Sequence, residues 1–239
     1  MGVVKATIGD AILTCLWVFS APMIGILTPV IATYLGVQAQ SLAGLFITTI
    51  LITALVTTFS LIGKALGGAS FNPSSTVSFY AAGLIPDSSL ISLAARFPAQ
   101  AAGGVGGAMA ILQVLPIQYK QRLKGPSLKV DLHTGAVVEG VLTFVLSFAL
   151  LLIMLRGPRN LLLKVWFLAV TTLGLIVVGS GYTGPSLNPA NAFGWAFQNN
   201  QHSSWEHFYV YWICPFIGAT LAAWIFRILF IPPIKEKKA

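Results

Sequence analysis

Long apolar runs, each interrupted by only a few polar side chains, fill most of the chain. Six of them reach the length that crosses a bilayer, about 20 residues of helix. The pattern predicts spans over residues 6–33, 42–66, 93–115, 134–155, 161–180 and 205–231. Two further helical stretches, 72–84 and 188–197, are too short to span, and both open on Asn-Pro. Asn is a strong N-cap and Pro suits the first helical position, so each dipeptide predicts a clean helix start.

The order of elements repeats. Asp10-Ala-Ile-Leu-Thr14 near the start of the first span matches Glu139-Gly-Val-Leu-Thr143 in the fourth. Asn72-Pro73-Ser74 matches Asn188-Pro189-Ala190, and Gln100 to Gly104 in the third span parallels Pro215 to Ala219 in the sixth. This divides one membrane domain, 1–239, into repeats of about 1–117 and 130–232. A linking loop covers about 116–132 and a basic tail 232–239. Three spans per repeat is an odd number, so the second repeat enters from the opposite side of the membrane. Sites in such inverted repeats lie near the midplane, on interrupted helices.

Composition agrees with a membrane protein: 56% of residues are hydrophobic and 8% charged, against roughly 25% charged in a soluble domain. The first apolar run carries no cleavage pattern and reads as a retained span. The net charge of +8 does not point to nucleic acid, because the cations sit between and beyond apolar runs. With both termini in the cytosol, that side holds Lys5, Lys64, Arg96, Arg156, Arg159, Lys164, Arg227, Lys235, Lys237 and Lys238; the other holds Lys120, Arg122, Lys124 and Lys129. Ten against four favours cytosolic termini. Cys15 and Cys214 fall inside spans and read as core thiols without a disulfide framework. No Asn-x-Ser/Thr acceptor is present, since Asn72 is followed by Pro73.

The two short helices carry the chemistry. Half a span exposes unsatisfied backbone unless it is buried or lines a water-filled cavity. Two such segments entering from opposite faces meet N-terminus to N-terminus, each presenting roughly half a positive charge. That pair of ends repels cations, and an Asn amide pointing inward orients a passing water so that it relays protons poorly. Asp10 and Glu139 are acids within spans. They are candidate acceptors for loop N–H groups, and a proton relay is the alternative. Gly103, Gly104, Gly106, Gly107 and Gly218 read as close helix contacts. His133, His202 and His207 read as interface polar groups, and Trp205, Tyr209, Tyr211 and Trp212 as an aromatic belt. No nucleophile–base pair, metal cluster or cofactor loop supports an enzyme.

These residues make the chain resemble the aquaporin, or major intrinsic protein, family over nearly its whole length, and most closely its plant small basic intrinsic protein branch. The matching pieces include Ser70-Phe71-Asn72-Pro73, Ala99-Gln100-x-x-Gly103, Tyr182-Thr183-Gly184, Asn188-Pro189-Ala190 and Tyr211-Trp212-x-x-Pro215. The resemblance implies an all-α right-handed bundle of six transmembrane helices with two re-entrant half-helices. It implies a homotetramer with a pore in each subunit, residence in the endoplasmic reticulum membrane, and Asp10 and Glu139 as loop buttresses. No cofactor is implied; the partners are water or a small neutral solute and membrane lipid.

Two departures stand out. Ser74 replaces the usual Ala of the first motif, and Asn191 stands where most of the family has Arg. By ungapped spacing the other constriction positions are Ile52, Ile176 and Pro185. Three apolar groups and one amide make a filter with no fixed cation. Such a filter suits passive water flow, passage of hydrogen peroxide, ammonia or glycerol, or a largely closed structural protein. In the tail, Lys235 and Lys237 lie fifth and third from the end. That spacing fits a dilysine-type retrieval signal or a solvated basic end beside anionic lipid.

Overall fold

The computed structural model describes residues 3–85, 89–123 and 125–230. Among these, α1 (Val3–Ser20), α2 (Pro22–Tyr34), α3 (Leu42–Ala65), α4 (Pro73–Ala81) and α5 (Leu90–Val114) form the first half. A short α6 (Ile117–Lys120) leads to α7 (Leu132–Arg156), α8 (Leu161–Gly179), α9 (Pro189–Gln198), α10 (Trp205–Phe208), a π-helical turn (Tyr209–Ile213) and α11 (Cys214–Phe230).

Local chemistry sets most boundaries. Ser41, Ser89, Asp131 and Asn160 each accept a backbone N–H of the first turn and so cap α3, α5, α7 and α8. At Asp131, outside the spans, hydrogen bonds from Thr134 hold the carboxyl below its ordinary value. The first span is interrupted at Pro22, which has no N–H to donate. Ala21 keeps helical dihedrals and still donates to Trp17 O at 2.8 Å, so the chain continues in nearly the same direction. Thr48, Thr49, Thr53 and Thr57 turn their hydroxyls back to the carbonyl four residues earlier, which satisfies polar groups inside apolar α3.

Among the described residues, five helical spans are long and apolar enough to cross a membrane; the first combines α1 and α2. The remaining long helix, α5, has the length but is diluted by Arg96, Gln100 and four glycines between Gly103 and Gly107. Those glycines explain its position. A Cβ on Gly103 would stand 2.3 Å from Ala11 O, and one on Gly107 would stand 2.3 Å from Cys15 O, so α5 lies directly against α1. The second half repeats the device: a Cβ on Gly218 would meet Gly140 O at 2.1 Å, which brings α11 onto α7. Apolar burial gives little drive between helices in lipid, so close backbone approach carries much of the association.

The half-helices are exchanged between the halves. From the first half, α4 packs on α11 and α7 of the second, around Ala82, Leu151, Ala223 and Phe226. From the second half, α9 packs on α5 and α1 of the first, with Trp195 against Val18, Ala108 and Ile111.

Candidate functional site

Asn72 and Asn188 sit in extended conformation at the starts of α4 and α9, each followed by Pro at the first helical position. Asn72 Oδ1 accepts from Ser74 N at 2.9 Å; Asn188 Oδ1 accepts from Ala190 N at 3.0 Å and Asn191 N at 3.3 Å. The amide nitrogens reach across. Asn72 Nδ2 donates to Leu187 O at 2.9 Å, and Asn188 Nδ2 donates to Phe71 O at 2.9 Å. Each side chain thus caps its own helix and binds the carbonyl just before the other Asn. The two N-termini are thereby held together.

Each approach segment is shaped for that contact. Leu187 adopts φ +53°, an unusual conformation for a branched apolar residue. Phe71 is clamped by Trp17, with ring centroids 4.1 Å apart and nearly parallel, and by the edge of Phe59. Ser70 Oγ donates to Asn72 O at 3.2 Å, and Ser186 Oγ donates to Asn188 O at 2.7 Å. The same short-range turn therefore occurs in both halves.

The two intramembrane acids are fully buried and both hold these loops, but differently. Asp10 Oδ1 accepts Ser70 N at 2.8 Å and Arg96 Nη2 at 2.8 Å; its Oδ2 accepts Arg96 Nε at 2.6 Å and Gln100 Nε2 at 3.1 Å. Glu139 Oε1 accepts Thr183 Oγ1 at 2.8 Å and Ser186 N at 3.2 Å, while Oε2 has no partner among the described residues. Arg96, counted with the cytosolic cations from sequence, is instead a buried, ion-paired residue of α5. Its removal changes the sequence balance of cations to nine against four.

The filter positions are spread over α3, α8, the loop before α9, and α9 itself. Ile52 is buried on α3, and Ile176 is exposed on α8, which packs beside α3. Pro185 lies over Gly179, where an added Cβ would come within 2.7 Å of its ring. Asn191, half-buried, donates from Nδ2 to Ser186 Oγ at 3.2 Å, so this amide is tied into its own loop. Ser74 is 1% exposed and its buried hydroxyl has no partner among the described residues. The Ser of the first motif therefore adds no polarity to an open surface.

Other expectations change. Tyr211 and Trp212 are buried in the core and do not form a belt. Tyr211 Oη donates to Thr183 O at 3.1 Å, and Trp212 Nε1 donates to Nε2 of His207, itself buried rather than interfacial. Trp205 is exposed and stacks on half-buried Tyr209. Several cations serve helix C-termini, as Lys129 Nζ does at Ser180 O (2.6 Å) and Arg156 Nη2 at Phe230 O (2.6 Å). Lys235 and Lys237 lie outside the described residues, as do Lys124 and Lys238.

Comparison with known proteins places this geometry. The family described as major intrinsic protein matches residues 1–226. Aquaporin SIP1-1 of Oryza sativa subsp. japonica is 54% identical over 238 residues, covering 99% of this chain and 97% of the relative. Aquaporin SIP1-1 of Zea mays is 55% identical over 236 residues (98% and 96%), and that of Arabidopsis thaliana 50% over 238 (100% and 98%). Among solved structures, the X-ray structure of the aquaglyceroporin from Plasmodium falciparum superposes with a TM-score of 0.71 at 17% identity, covering 97% of this chain and 98% of that one.

Proposed function

We propose, from the premise that this chain belongs to the major intrinsic protein family of membrane channels, that it is a passive water channel. The pore of each subunit passes between the N-termini of α4 and α9. The observation that carries this is the reciprocal pair of bonds from Asn72 Nδ2 to Leu187 O and from Asn188 Nδ2 to Phe71 O. An amide nitrogen has two N–H groups. One on each Asn is fixed on the opposite loop, so the second has a set direction and remains for a passing water. Together the helix ends oppose cations, and the two donors orient water against proton relay.

In this reading Asn72-Pro73-Ser74 and Asn188-Pro189-Ala190 build the central aperture, and Asp10 and Glu139 hold its loops. Ile52, Ile176, Pro185 and Asn191 form the constriction. A second reading, passage of small neutral solutes such as hydrogen peroxide, ammonia or glycerol, is favoured by Asn191. Its amide is turned to Ser186, and the position carries no cation. Residence in the endoplasmic reticulum membrane, cytosolic termini and a homotetramer belong to the same proposal.

The test is stopped-flow shrinkage of proteoliposomes holding the purified protein, beside empty vesicles and Asn188→Asp. The expected result is fast shrinkage with a low activation energy and no proton leak, lost in the variant, where an anion replaces the amide donor. Shrinkage at the empty-vesicle rate with swelling in a neutral solute selects the second reading. Neither response identifies a closed structural relative.

A further inference from the structure

The two halves hold their Asn loops by different means. Positions Arg96 and Gln100 of α5 correspond, through the repeat, to Tyr211 and Pro215 in the second half. There, one neutral hydroxyl reaches Thr183 O, and Glu139 has no ion pair among the described residues. In the first half a two-pronged ion pair occupies that place, with Arg96 7% exposed and Asp10 fully buried.

We infer that Arg96 is a positioning residue of the pore, acting through Asp10 to hold the Ser70–Asn72 segment and to cancel the negative charge beside it. The chain of contacts is continuous. Arg96 fixes both carboxylate oxygens, and Asp10 Oδ1 accepts Ser70 N. Gln100 Nε2 bridges Asp10 Oδ2, Ser70 O at 3.0 Å and Thr76 Oγ1 at 3.3 Å. Ser70 Oγ accepts from Asn72 N at 3.3 Å, and Asn72 crosses to Leu187. Stability alone does not account for the pair, because a buried ion pair offers little over well-packed neutral groups of similar size. Tyr211 shows such a neutral solution in the same fold. What the pair supplies is a bidentate geometry that sets the carboxylate plane. It also neutralises an anion that would otherwise draw cations toward an aperture whose helix ends repel them.

The inference rests on the pore reading, and two measurements separate their failures. Backbone hydrogen exchange in lipid nanodiscs compares residues 66–72 with 183–187, while a pH-sensitive dye in proteoliposomes reads ion leak. Arg96→Gln is expected to speed exchange of 66–72 by about tenfold or more, leaving 183–187 unchanged, because the opening is local. It is also expected to raise leak. Arg96→Lys, which keeps the charge but loses the fork, falls between. In Asp10→Asn/Arg96→Gln no charge is stranded, and leak returns to the wild-type level. This double variant also serves if Arg96→Gln does not insert, since exchange of 66–72 should stay raised in it. Equal change in both loops, or none, overturns the positioning role. Leak that persists in the double variant overturns the charge role. Wild-type vesicles that pass neither water nor neutral solute overturn the pore reading alone, and exchange still decides Arg96.

Discussion

Ser74 departs from the motif pattern at a position that the fold buries. Its hydroxyl is buried with no partner among the described residues, and α4 packs on α11 and α7. Ser74→Ala is expected to leave water permeability unchanged and to stabilise the protein by about 1 kcal/mol, the gain from removing an unsatisfied buried donor. Thermal unfolding in detergent beside vesicle shrinkage checks both; slower shrinkage would place the hydroxyl at the aperture. At this scale the sequence was legible wherever chemistry is local. Asn72 and Asn188 declare themselves because an N-cap and its Pro are adjacent in the chain. The Asp10–Arg96 pair was not legible, because its partners are 86 residues apart and Arg resembles any other loop cation at the edge of an apolar run. The one signal was Arg96 lying a single helical turn before Gln100, on the same face.

Elements were read well at their capped ends and poorly at their interruptions. The predicted limits of α3, α7 and α8 fall within two residues of those observed, since Ser41, Asp131 and Asn160 stand at the starts. The π-helical turn at Tyr209–Ile213 has no such marker, and it shifts the phase of the last span. Aromatic residues expected to face the membrane interface therefore turn inward, and Trp212 reaches His207 five positions back. Helix contacts follow the glycines. Gly104 lets α9 approach so closely that an added Cβ would stand 2.2 Å from Ala190 O, whereas one on Gly174 of α8 meets nothing within 4 Å. Gly104→Ala is expected to cost about 1–3 kcal/mol through overpacking. Gly174→Ala should stay within about 0.5 kcal/mol of wild type. Comparable losses of thermal stability in the two variants would contradict this account of how α5 and α9 meet.

For the whole molecule, exchange of the half-helices makes the halves mutually dependent: α4 is held by α7 and α11, and α9 by α5 and α1. The sequence repeat revealed that two halves exist, but not that each supplies a part to the other, because such packing leaves no periodic signature. Address belongs to this scale as well. Within the proposed function, Lys235→Ala with Lys237→Ala is expected to release a tagged protein from the endoplasmic reticulum to later compartments. Unchanged retention, seen by fluorescence microscopy, would assign those lysines to lipid contact.

The crossed amides also set a timetable. Asn72 finds its acceptor only at Leu187, 115 positions later. At elongation rates of roughly 5–20 residues per second, that separation is a wait of about 6–23 s. Throughout it, α4 lacks the carbonyl that orients its cap, and α11, one of the helices that cover it, is made later still. The crossed contact is therefore a late event in synthesis, and a ribosome halted before residue 187 leaves a chain with an unfinished centre, the kind of intermediate that folding surveillance recognises.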